Sequence, residues 1–144
     1  MTSLTMWLLL GTFVAVNCGD LSGSALTRLY NTGVQFAEWV TRPKQLMPSW
    51  VPEWCVTTHS GVLVTLVDGQ KFLIHKGPGF GVASETVVTD IAHMSDRWEV
   101  KETRYFAGTK TVGDFVQTGG ENYSILKGQH CHTAAKDMMN QGKK

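Results

Sequence analysis

The stretch from Cys55 to Lys76 reads CVTTHSGVLVTLVDGQKFLIHK, and the fold turns on it. β-Branched and apolar residues lie on both sides of Asp68-Gly69. An Asp-Gly pair between two such runs signals a hairpin, because glycine accepts the positive φ that a tight turn needs. The chain therefore runs out as one strand and returns along Gln70 to Lys76 as its antiparallel partner. Gly77-Pro78-Gly79-Phe80-Gly81 then ends the sheet segment, since proline cannot donate to a ladder and glycine weakens a strand. A two-residue turn at Asp68-Gly69 sets His75 against Val62. His75 would then stand about 10 Å along the strand from His59, at about 3.3 Å per residue, and on the other sheet face. A three-residue turn with a bulge restores the face but not the offset.

Further strands are expected downstream at Glu85 to Ile91 and Trp98 to Phe106. The second alternates Trp98 and Val100 with Glu99 and Lys101, so one face is exposed. Thr111 to Gln117 is expected as a short helix and Tyr123 to Leu126 as an extended segment. Thr133 to Asn140 is expected as a final helix with Ala134, Ala135, Met138 and Met139 on its inner side. Upstream, Leu26, Leu29, Tyr30, Val34, Ala37 and Val40 recur at steps of three and four. That spacing predicts an amphipathic helix over Ser22 to Val40, weakened at Asn31-Thr32-Gly33 and ended by Arg42-Pro43. Leu46 to Trp54 (LMPSWVPEW) reads as a rigid connector whose tryptophans cover the edge of the core or touch a ligand or membrane interface. The outline is an antiparallel sheet with an N-terminal helix and C-terminal helices, of class α+β.

Met6 to Val16 (MWLLLGTFVAV) is an apolar run of eleven residues. It suits the core of a secretory signal and falls short of the roughly 20 residues of a membrane-spanning helix. Asn17, Cys18 and Gly19 supply a cleavage region, with the cut after Cys18 or Gly19. Residues 1–18 are thus expected to be a signal peptide and 19–144 one exported domain, secreted to the extracellular side. With Lys and Arg numbering 13 against 12 Asp and Glu, the net charge of +1 offers no basis for binding nucleic acid. Cleavage removes Cys18 from the three cysteines and leaves Cys55 and Cys131, which can form one disulfide outside the cytosol. Asn122-Tyr123-Ser124 is a glycosylation sequon following Gly119-Gly120.

The chemistry-bearing residues are His59 near the start of the hairpin, His75 near its end, and Cys131 between His130 and His132. A cysteine opening a helix feels the positive end of the helix dipole, which favours the nucleophilic thiolate. Such a thiolate needs a base, usually histidine, and a group to orient that base. The adjacent His130 and His132 lack a zinc-ligand spacing, so neither a metal nor another cofactor is expected. His93 has no sequence partner.

The order of these residues resembles the permuted papain-like enzymes of the NlpC/P60 superfamily. The nearest type is the lecithin:retinol acyltransferase and small phospholipase/acyltransferase group. Thr58 to His75 (THSGVLVTLVDGQKFLIH) and Gly128 to Met139 (GQHCHTAAKDMM) carry the resemblance. At the cysteine that group has Asn-Cys-Glu-His, where this chain has His130-Cys131-His132-Thr133. The resemblance implies a secreted hydrolase or acyltransferase with Cys131 as nucleophile, His59 as base and His75 as orienting group. The substrate it implies is a lipid ester or peptide amide, reached with transient membrane-surface contact. The alternative is a non-enzymatic binding or defence module with a Cys55–Cys131 disulfide. The sequence does not state an oligomeric form.

Overall fold

The computed structural model describes residues 23–43, 58–80, 84–94 and 96–143. The expected signal segment and the Leu46–Trp54 connector lie outside these residues. Among the described residues no helix is long and apolar enough to cross a membrane.

The hairpin organises the rest. Strands β2 (Thr58–Leu66) and β3 (Lys71–Lys76) pair antiparallel, with Val62 opposite Ile74 and Val64 opposite Phe72. Leu66 N–H donates to Gln70 O at 2.8 Å, closing a loop of three residues, 67–69. Asp68 Oδ1 accepts from Gln70 N–H at 3.0 Å, and Gly69 sits at φ 89°, a left-handed conformation that favours glycine. Of the two turns open to the sequence, the three-residue one is present.

One correction concerns Val34 to Val40. Helix α1 spans only Gly23–Asn31, burying Leu26, Leu29 and Tyr30, and Val34–Pro43 is strand β1. The helix-like spacing arises because β1 is flanked on both sides and bulged. It pairs with β2 on one edge and β5 (Glu99–Tyr105) on the other. A register shift between Val34 and Phe36 inserts one extra residue, so Val34 and Ala37 both face the main core. Val40 is 1% exposed yet lies opposite Gly61, on the other face of the sheet. Residues three apart are thus buried without a helix.

With β4 (Thr86–Asp90) the strands form a five-stranded antiparallel sheet in the order β4-β3-β2-β1-β5. Helix α2 (Val112–Gly119) opens with a capping box: Thr111 Oγ1 accepts from Asp114 N–H and the Asp114 carboxylate from Thr111 N–H. Helix α3 (Cys131–Met139) begins two residues before the expected start, with His130 as its N-cap. It lies across β1, β2 and β3, burying Ala134, Ala135, Met138 and Met139 against Val62, Val64 and Ile74. The class is α+β, as expected. Edge strand β5 is mostly exposed, and its Lys101 and Glu102 discourage edge-to-edge pairing. The expected extended segment at Tyr123 to Leu126 is mainly turn, with one bridge between Ser124 and Gln129.

Candidate active site

Strand residues alternate between faces, so the register decides which histidines meet. The three-residue turn pairs His75 with Gly61 and puts it on the same face as His59. The three-residue alternative thus holds, and the two rings meet: His59 Nε2 lies 3.0 Å from His75 Nδ1. The remaining offset makes them diagonal neighbours, within reach of aromatic side chains. On the far side, His75 Nε2 lies 3.0 Å from Thr89 Oγ1 on β4. A chain of polar contacts, His59–His75–Thr89, thus crosses three adjacent strands.

Apolar rings enclose this chain. Phe80 stands 4.9 Å from the His75 ring and 5.6 Å from the His59 ring, and Trp98 is 5.7 Å from His59, all between centroids. His59 is 4% exposed. Arg42, opposite His59 in the β1–β2 register, places its guanidinium 5.2 Å over Trp98. Burial, and secondarily the Arg42 charge, lowers the His75 pKa from 6.5 to about 4, so its ring is neutral at neutral pH.

Cys131 is the first residue of α3 and 1% exposed. His132, the next residue, ties this helix start to the start of β2. One of its ring nitrogens lies 3.2 Å from Thr58 Oγ1, and the other bonds Ser60 Oγ. Ser60 also accepts from Trp39 Nε1–H at 3.2 Å. Thr58 and Ser60 flank His59 in sequence, so the Cys131 and His59 segments share one end of the sheet, while strand alternation turns the His59 side chain to the face opposite α3. Cys131 itself is disulfide-bonded. Its partner lies outside the described residues, and the other cysteines of the chain are Cys18 and Cys55. A disulfide sulfur has no thiolate to offer, so in this form Cys131 is a cross-link.

No family model matches the chain. An uncharacterized protein of Acanthamoeba polyphaga mimivirus is 39% identical over 54 residues, which is 38% of this chain. The match covers 43% of that viral protein's length. No solved structure matches.

The other histidine of the motif has a local role. His130 Nδ1 accepts from Thr133 N–H at 3.4 Å and caps α3. The His130 and His132 rings are 6.1 Å apart and turned toward different partners. Among the described residues no group of three or more His, Cys, Asp or Glu side chains is arranged to hold a metal.

A cavity of about 800 Å³ lies elsewhere, beside α2 and α3 and lined by Tyr30, Lys76, Val116, Gln129 and Ala134 among others. It does not include His59, His75 or Cys131. Lys76 donates from Nζ to Gly119 O at 2.8 Å and anchors the end of α2; burial lowers its pKa, opposed by Glu85 and Asp137. Asn122 is exposed on the loop after α2, a position open to modification.

Thr89, Ser60, Trp39, Arg42, Phe80 and Trp98 were not singled out in the sequence. For Thr89 the signal is strand parity: it lies two residues from Val87, the partner of His75, and so shares its face.

Proposed function

We propose that the chain is an exported thiol hydrolase or acyltransferase of the permuted papain-like type, latent while Cys131 is cross-linked. The observation that carries this reading is the His59–His75 contact of 3.0 Å at the end of the sheet where Cys131 opens α3, on the face opposite that helix. A dithiol reductant would transfer two electrons and two protons to the disulfide, releasing two thiols and leaving as its own disulfide. Reduction must also free the α3 start to swing round the end of the sheet to the face of His59, which then takes the Cys131 proton while the α3 dipole stabilises the thiolate. The thiolate attacks an ester or amide carbonyl to give a tetrahedral intermediate. This collapses to an acyl-enzyme as the C–O or C–N bond breaks, and His59 returns the proton to the leaving alcohol or amine. Water, or an acceptor hydroxyl or amine, attacks in turn with His59 again as base. His75 stays neutral and orients His59. A lipid ester or a peptide amide is the proposed substrate, with transient membrane contact for the former.

The test uses the purified exported protein and p-nitrophenyl butyrate, with and without dithiothreitol. Hydrolysis is expected only after reduction, and Cys131→Ala abolishes it. Activity that survives Cys131→Ala sinks the proposal.

A second reading is favoured by the disulfide itself: a non-enzymatic binding or defence module stapled by a permanent Cys55–Cys131 bond. There the histidine chain is structural, and reduction yields no hydrolase, only a less stable domain.

A further inference from the structure

We propose that the outer edge of β5 is a self-association surface, where a second copy of this chain adds its own β5 antiparallel and joins the two sheets. In the order β4-β3-β2-β1-β5 this strand is the last, and among the described residues no strand pairs with its outer edge. All of Glu99–Tyr105 except Arg104 is exposed, including Val100 at 52% and Tyr105 at 74%. The opposite edge strand, β4, instead buries Thr86, Val87 and Val88.

Backbone alternation decides which residues can bond a new strand. Each strand residue turns its N–H and C=O to one side, and the next residue turns them to the other. Phe106 donates its N–H to Gln35 O at 2.9 Å, so its backbone points inward, to β1. Tyr105 and Thr103 therefore point outward, while Arg104 and Glu102 point inward, opposite Ala37 and Trp39. The register then shifts: Val40 lies opposite Val100, and Lys101 is one residue extra. Val100 thus points outward as well. Outward residues are normally two apart, but the bulge sets Val100 and Thr103 three apart.

One antiparallel register fits that gap to a second copy. A two-fold axis between Lys101 and Glu102 sets Val100 against Thr103 of the second copy, and Thr103 against its Val100. Each such pair can exchange two backbone hydrogen bonds. Every other register leaves Val100 or Thr103 facing an inward residue or no residue of the strand.

The side chains agree with this register. Ala37 and Trp39 pack on the helix side of the sheet, so their partners Arg104 and Glu102 stand on that face. Arg104 Nη1 donates to Met139 O at 2.7 Å, and Glu102 lies 3.9 Å from Lys143. Lys101 reaches Glu99 at 3.2 Å on the same face. Along the edge this face reads Glu99, Lys101, Glu102, Arg104: minus, plus, minus, plus. About the axis every charge meets its opposite. Lys101 faces Glu102 of the second copy, and Glu99 faces its Arg104. Charges on an edge deter strands of arbitrary sequence, and the antiparallel copy is the sequence these charges admit. A foreign strand would have to match both the three-residue gap and the charge order.

A contact one strand wide is small beside the standard interface of about 1,600 Å², so a dissociation constant between about 1 μM and 1 mM is expected. The experiment is sedimentation equilibrium of the purified disulfide-bonded protein up to about 1 mM, with its Lys101→Glu and Glu102→Lys forms alone and mixed. Both positions are exposed and their ion pairs lie on the surface, so both variants are expected to fold. Lys101→Glu places only carboxylates about the axis, and Glu102→Lys only ammonium groups. Each variant alone is expected to associate at least about tenfold more weakly than the wild type. Mixed, they restore both opposite-charge pairs and associate as the wild type does. A wild type that stays monomeric at about 1 mM overturns the proposal. So does a dimer that both variants retain, or a pair of variants that stays monomeric when mixed. Neither position belongs to the histidine chain or to Cys131, so the outcome is separate from the thiol reading.

Discussion

Acidification from pH 7 to pH 4 is expected to remove stability through His75. In the unfolded chain this histidine binds a proton with a pKa of 6.5, whereas in the fold its pKa is lowered to about 4. Below pH 6.5 the unfolded state therefore holds more protons than the native state, and the contribution, complete above that value, shrinks as pH falls. At about 1.4 kcal/mol per pKa unit, the loss reaches about 2 kcal/mol at pH 5 and approaches about 3 kcal/mol at pH 4. Part of the His75 ring meets solvent, so these figures are upper values. Carboxylates titrate in the same range, so the assay compares urea denaturation of wild type and His75→Asn at pH 7, 6, 5 and 4. The wild type loses up to about 2 kcal/mol more than the variant between pH 7 and pH 5. NMR titration of the His75 ring supplies the direct reading. Equal losses in both proteins, with a His75 midpoint near its ordinary value, would refute the buried, neutral relay.

Two other perturbations probe the frame that holds the relay. Met138 is fully buried between α3 and the sheet. Met138→Ala is expected to cost about 2–5 kcal/mol in urea denaturation, with the native fold kept. Thr111→Ala removes the hydroxyl that caps α2 and leaves one N–H without its acceptor. Its expected cost is about 1 kcal/mol by the same assay.

What the sequence made legible was local. The hairpin, the short α2 and the inward face of α3 were each read within a dozen residues, the hairpin from its turn chemistry and α3 from its apolar stripe. Strand β1 was not legible, because a bulge lets residues three apart be buried and so imitates a helical repeat. The His59–His75 contact was hidden by one residue of turn length, since a single step of register moves a side chain to the opposite face. Thr89 and the Trp39–Ser60–His132 bonds join strands and helices distant in sequence, and only tertiary structure reveals them. For Cys131 the sequence left nucleophile and cross-link both open. The fold brings its segment to the end of the sheet that holds His59, on the opposite face, and commits its sulfur to a disulfide.

The most direct measurement is therefore the thiol state of Cys131 tied to its reactivity. The purified disulfide-bonded protein is treated with iodoacetamide at neutral pH before and after dithiothreitol, mapped by mass spectrometry, and assayed in parallel for ester hydrolysis. Latent thiol catalysis predicts no label on Cys131 before reduction, rapid labelling after it, and hydrolysis that appears with the free thiol and vanishes on alkylation. A reduced, folded protein whose Cys131 labels no faster than an ordinary thiol and hydrolyses nothing contradicts it.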